Sequence, residues 1–163
     1  MTTYLPEDRL HRLSHYALAS PELRRRLDTL AHESARLLGQ PSSVFSVTLD
    51  TAQMVLGSYG LSGWIAAAGG MPVEWSPCAY VVLNQTEYVV ENAAQDARER
   101  DNPLVVCDGL RSYAGVPIMT NEGETVGAHC VLGGAPRHFS ELDLAVLRRA
   151  ARRSAEILAA HRD

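Results

Sequence analysis

Apolar side chains return at helical spacing through Leu23, Leu27, Leu30, Leu37 and Leu38, with Ser34 on the same stripe and Arg24, Arg25 and Arg26 mostly off it. Ser20-Pro21-Glu22 opens this run with an N-cap serine and a proline at the first helical position. Gly39, with Pro41 beyond it, closes it. Upstream, Leu10, Leu13, Tyr16 and Ala17 also repeat at helical spacing and predict a helical extension over residues 1–20. Two strands follow. Val44–Leu49 and Val55–Tyr59 are rich in β-branched and aromatic residues, and Asp50-Thr51-Ala52-Gln53 joins them as a hairpin.

Leu61 to Pro72 holds Trp64, an alanine run and Gly69-Gly70, which predict a short helix and then a loop. Ser76-Pro77 repeats the helix-start pair ahead of Ala79-Tyr80-Val81-Val82. Glu87–Val90 reads as a strand, and Asn92–Val106 as an irregular stretch with turn formers at Asp96, Asp101, Asn102 and Pro103. Ser112–Met119 and Thr125–Leu132 form a second hairpin around Asn121-Glu122-Gly123. Ser140 with Asp143 predicts a capping box, and Leu142, Val146, Leu147, Ala150, Ile157 and Leu158 the buried face of the last helix. This order gives an α+β plan with a mostly antiparallel sheet of five or six strands. The expected organisation is one domain over 1–163, with its core at 21–160.

Composition narrows the chemistry. The formal net charge is −4 and all 15 basic residues are arginine. That usage suits a GC-rich genome, and it excludes a lysine Schiff base, a lysine general base and a phosphate-loop lysine. The negative charge disfavours nucleic acid as a partner. Arg148, Arg149, Arg152 and Arg153 make a basic stripe on the last helix, but no aromatics interleave with it. No window is apolar over the length that spans a bilayer, and Met1–Arg12 has no signal-peptide core, so the expected location is the cytoplasm. Cys78, Cys107 and Cys130 are odd in number and widely spaced, a poor disulfide framework. No His, Cys, Asp and Glu cluster has metal-ligand spacing, and the residues name no cofactor.

Several segments resemble one family in order and spacing. Trp75-Ser76-Pro77-Cys78-Ala79-Tyr80-Val81-Val82 resembles the helix start of many bacterial GAF domains. Asp96 with Asp101-Asn102-Pro103-Leu104-Val105 resembles the next element, and Ser112-Tyr113-Ala114-Gly115-Val116-Pro117-Ile118 the strand with a Tyr-Ala-Gly-Val-Pro core. Glu122-Gly123, Val126-Gly127, Cys130-Val131 and Pro136-Arg137-His138-Phe139-Ser140 continue the series. The chain departs at Gly133 and Asn92, where aspartate is frequent. The resemblance implies a GAF, PAS-like fold, with long terminal helices on one sheet face and short helices and loops over a pocket on the other. It implies a non-catalytic module that senses a small molecule and acts in trans. It also implies a homodimer through the terminal helices, with a signalling protein as a further partner.

Candidate ligand-binding residues are Trp75, Cys78, Tyr80, Cys107, Arg111, Tyr113 and His129. Trp75, Tyr80 and Tyr113 would line an apolar cavity with polar tips. Arg111 would grip an anion bidentately, and His129 would face the pocket. Core packing or surface exposure is the competing reading for each of them. Haem would need an axial ligand, which only His129 or His138 offers outside the terminal helices. Two alternatives stay open. One is a purely structural dimerisation adaptor. The other is a thiol enzyme similar to the free methionine-R-sulfoxide reductases, with Cys78 and Cys107 as catalytic cysteines. Against it, Tyr113, Cys130 and Leu132 stand where that family has acids. His129 and Cys130, as strand neighbours, point to opposite faces, and Cys130 is expected to pack in the core.

Overall fold

The computed structural model describes residues 18–49 and 51–161, so the predicted extension at Leu10, Leu13, Tyr16 and Ala17, and Asp50 in the first turn, lie outside the described residues. Helix α1, Pro21–Leu38, starts where the sequence indicates: Ser20 Oγ accepts from Leu23 N, and Gly39 adopts the left-handed conformation that ends it. Its buried face is Leu23, Leu27, Ala31, Ser34, Ala35 and Leu38. Leu37, expected inside, is 53% exposed. The 3.6-residue period turns Leu37 off the buried face and selects Ala31 and Ala35.

Strand β1 is Ser42–Thr48 and β2 is Ala52–Tyr59. Helix α2, Gly63–Ala68, leads into β3, Gly70–Pro72, which pairs with Ala52–Met54 of β2. The expectation of a loop there fails because the Gly-rich segment supplies a short edge strand. Helix α3 is Pro77–Asn84, capped by Ser76, and β4 is Tyr88–Val90. Within the stretch read as irregular, Asn102 Oδ1 accepts from Leu104 N and Pro103 begins a one-turn helix, α4, Pro103–Val106. Strands β5, Ser112–Met119, and β6, Thr125–Gly133, precede helix α5, Glu141–Ala160. Ser140 and Asp143 form the predicted capping box with both reciprocal hydrogen bonds. Leu142 is 79% exposed rather than buried, and Ala151 and Ser154 take places on the inner face instead.

All pairings are antiparallel, in the order β3-β2-β1-β6-β5-β4. β4 pairs only with Tyr113–Gly115, so Pro117 lies where β5 is the sheet's edge and its missing donor costs nothing. One face packs on α1 and α5 through Leu23, Leu27, Phe45, Val116, Ile118 and Leu147. Each such fully buried side chain contributes roughly 1.5–3 kcal/mol by leaving water. Gly57 allows the close approach: a Cβ there would collide with Leu27 and the α1 backbone. The other face carries a second cluster, with Val44, Val55, Cys78, Val81, Leu104, Tyr113 and Cys130, under α3 and α4.

Candidate functional site

Strand alternation sends Val44 of β1, Tyr113 of β5 and Cys130 and Leu132 of β6 toward the second face. Above them the short helices do not close the layer. A cavity of about 300 Å³ remains, walled by Val44, Val55, Met71, Leu104, Leu110 and Leu132. Segment 60–65 and segment 108–110 frame it. Its lining is mostly apolar, and among the described residues that line it Asp108 carries the one carboxylate.

The polar groups gather around Cys78, in the first turn of α3. Tyr113 Oη donates to Cys78 Sγ at 3.0 Å, and Cys130 Sγ lies 3.7 Å from the same sulfur. Ser76, the N-cap of α3, donates to Gln53 Oε1 on β2 and so ties the helix start to the sheet. Ser46 Oγ is buried without a hydrogen-bond partner of its own and lies near enough to Cys78 to favour its thiolate. The hydrogen bond from Cys130, aided by Tyr113, lowers the Cys78 pKa against the opposing effect of burial. Burial first, and then the neighbouring Cys78, pushes Cys130 well up. Burial likewise pushes the Tyr113 phenol up, reinforced by negative charge at Cys78. Tyr113 therefore stays a donor.

Of the seven residues singled out in the sequence, the cavity brings together Cys78 and Tyr113. The other five sit elsewhere. His129 is wholly buried on the opposite sheet face, stacked on Phe45 with ring centroids 3.8 Å apart. Its Nδ1 lies 3.0 Å from the Val44 carbonyl and its Nε2 2.8 Å from Ser34 Oγ. A carbonyl only accepts, so Nδ1 carries the proton and Nε2 accepts from Ser34. The expectation that His129 faces the pocket is thus corrected by the register: Tyr113 and Cys130 point into the cavity, and the neighbour of Cys130 must point away. Arg111 donates to the carbonyls of Val105 and Leu110 and braces the segment before β5. Tyr80 is 41% exposed and stacks on Tyr88 outside the cavity. Cys107 is exposed at the end of α4. Trp75 packs edge-on against Trp64 and accepts from Asn102 through its carbonyl, behind the lining.

Sequence reasoning missed Cys130, Gln53, Trp64 and Asp108 as lining residues. The signal for Cys130 was present. Alternation puts one of His129 and Cys130 on each face, and the pairing of Cys130 with Gly115 selects the cavity face for the thiol. On the last helix Arg148 pairs with Glu87 and Glu141, and Arg153 with Glu156, so the basic stripe is partly neutralised.

A family model of the GAF domain matches residues 22–158. The chain belongs to the GAF domain family. A cyclic di-GMP phosphodiesterase of Pseudomonas aeruginosa is 38% identical over 96 residues, which are 55% of this chain. The chain spans 16% of the length of that relative. Among solved structures, the GAF domain of an Acinetobacter phosphoenolpyruvate-protein phosphotransferase superposes with a TM-score of 0.68 at 19% identity, covering 98% of this chain and 96% of that one. A type II free methionine-R-sulfoxide reductase from Thermoplasma acidophilum gives 0.69 at 14% identity, covering 86% and 94%. At these identities the structures establish the fold. Among the described residues of this GAF domain, no helix is long and apolar enough to cross a membrane, and no three His, Cys, Asp or Glu side chains group to hold a metal ion.

Proposed function

We propose that this GAF domain is a sensing module whose cavity between the sheet and α3 and α4 takes one small, largely apolar molecule with a single polar end. The cavity carries this reading. At about 300 Å³ it is at the lower end of small-molecule sites, and its polar groups converge at Cys78 while its walls are apolar. The lining supplies no paired carboxylates and no cluster of acid and base, which favours binding over turnover. A ligand touching both 60–65 and 108–110 would favour the conformation that grips it, and that population shift is the signal. The relatives support a modular role: the resemblance covers a small part of the phosphodiesterase, so its catalytic activity is not carried over.

Native mass spectrometry of the protein purified from its own host tests this. The expected result is a retained small molecule, lost in Leu132→Trp, where the indole fills the cavity, with the circular dichroism of the fold unchanged. A ligand-free spectrum from host-purified protein, together with equal retention of every small molecule screened by the variant and the parent, would overturn it.

A further inference from the structure

Two sulfurs meet at the cavity floor from distant parts of the chain. Cys78 stands in the first turn of α3 and Cys130 in the middle of β6, opposite Gly115 of β5 and Val44 of β1. They are 3% and 2% exposed, both line the cavity, and their Sγ atoms are in nonbonded contact at 3.7 Å. The surroundings make them unequal. Tyr113 Oη donates to Cys78 at 3.0 Å, and of the two thiols Cys78 is the one held low while burial pushes Cys130 up. When Cys78 loses its proton, Cys130 S–H at 3.7 Å is placed to donate to it, which favours the thiolate. An ionised thiol able to attack, and a protonated thiol in contact with it, are the two parts that intramolecular disulfide formation needs. Cys107, exposed and outside the lining, has no part in this arrangement.

We propose that Cys78 and Cys130 form a reactive dithiol site for small hydroperoxides, with Cys78 as the nucleophile and Cys130 as the resolving thiol. The Cys78 thiolate attacks the outer oxygen of the hydroperoxide; an S–O bond forms and the O–O bond breaks. The departing alkoxide takes up the proton that Cys78 gave up, leaving an alcohol and a sulfenic acid on Cys78. Cys130 then bonds to the Cys78 sulfur and the S–O bond breaks. The released hydroxide joins the Cys130 proton as water. Two thiols lose two electrons, and the hydroperoxide is reduced to alcohol and water. The sulfurs close from contact to the disulfide length of about 2.05 Å. The product ties the first turn of α3 to β6 and leaves the Tyr113 hydroxyl a weaker, uncharged sulfur acceptor. The proposal goes beyond the sensing reading: it uses the cavity only as the oxidant's route and does not depend on a retained ligand.

The test uses the full chain, reduced and then exposed to one equivalent of hydrogen peroxide or tert-butyl hydroperoxide. Free thiols are blocked with N-ethylmaleimide and the peptides are mapped. The expected map links Cys78 to Cys130, with Cys107 blocked as a free thiol. Cys107→Ser gives the same linkage. Cys130→Ser stops at a Cys78 sulfenic acid that dimedone traps, and Cys78→Ser slows oxidation of Cys130 by roughly tenfold or more. A linkage through Cys107, no linkage in the folded unmutated chain, or equal oxidation rates with and without Cys78 would overturn the proposal. The linkage map needs no variant, so misfolding of a variant leaves the test intact. A ligand-free native mass spectrum leaves this map unaffected, so the two proposals fail separately.

Discussion

Trp64 Nε1 donates to Asp108 Oδ1 at 3.0 Å, joining the two segments that frame the cavity. Trp64 belongs to α2 and Asp108 follows α4, 44 positions along the chain. The indole also meets Trp75 edge-to-face at 5.8 Å, so the hydrogen bond and the ring contact fix one side chain from two directions. The bond is exposed. It therefore adds little to global stability, on the order of 0.5–1.5 kcal/mol, and its effect is local.

Asp108→Ala should thus lower the unfolding midpoint by only a few degrees while loosening the frame. Hydrogen exchange is expected to speed up several-fold at the amides of 61–68 and 107–111, and to stay unchanged in β1 and β6. Uniform protection across both segments in the variant would show that the bond does not hold the frame.

Tyr113 and Gly115 are two residues apart on β5, so both face the cavity, and the phenol ring lies over the glycine. A Cβ at Gly115 would run into Tyr113 Oη and its ring. That gives a physical reason for a tyrosine two residues before a glycine here: the glycine leaves room for the hydroxyl to reach Cys78. Gly115→Ala should displace the hydroxyl and cost about 1–3 kcal/mol from overpacking. Tyr113→Phe removes the donor without the clash. A hydrogen bond to a charged group is among the stronger ones, so its loss should raise the Cys78 pKa. Alkylation rate against pH, followed at Cys78 by peptide mapping, reads this shift. An unmoved midpoint in Tyr113→Phe would mean that Cys130, Ser46 and Gln53 set the acidity without the phenol.

The sheet and its helices were legible because their signals are local. Ser20-Pro21 and Ser140 with Asp143 are caps whose geometry follows from residue type, and the structure shows both. Val44–Leu49, Ser112–Met119 and Thr125–Leu132 are apolar runs of strand length bounded by turn formers, and each appears within a few residues of its predicted bounds. The site was less legible because a cavity is made by register between distant strands. Cys78 and Cys130 are 52 positions apart. Nothing in the sequence near either one announces the other. Cys107 looked equivalent to Cys78 until the turn of α4 left it facing solvent. Arg111 looked free to grip an anion, yet two backbone carbonyls that no sequence pattern predicts occupy it.

Arg137 joins the two long helices. Its guanidinium donates to the Leu38 carbonyl at the end of α1 at 2.7 Å and to Asp143 Oδ2 in the first turn of α5 at 3.1 Å, and it lies 4.9 Å from the centre of the Phe139 ring. A lysine ammonium keeps the charge but cannot present a planar fork to both acceptors. Arg137→Lys should destabilise by about 2 kcal/mol, lowering Tm by roughly 4–8 °C. Differential scanning calorimetry checks it. A Tm within a degree of the parent would show that the bridge is not a structural tie.

His129 makes stability depend on pH with a defined sign. Burial pushes its pKa down to about 4, although its hydrogen bond to the Val44 carbonyl works the other way. In the unfolded chain an ordinary histidine titrates near 6.5. Below about 6.5 the unfolded state takes up a proton that the folded state refuses, so the unfolded state binds more protons and stability falls as pH falls. The loss runs from about pH 6.5 to about pH 4 and levels off below that. At about 1.4 kcal/mol per pH unit it amounts to roughly 3 kcal/mol. Most of this window lies above the range where carboxylates titrate, so urea unfolding at steps between pH 7 and pH 4.5 isolates it. His129→Gln carries no titrating group and keeps an amide donor for the Val44 carbonyl and an acceptor for Ser34. It should be less stable at pH 7, because the stacking on Phe45 is lost, yet show a much flatter profile down to pH 4.5. A parent profile that is flat over the same steps, or a variant that falls as steeply as the parent, would place the acid sensitivity elsewhere in the chain.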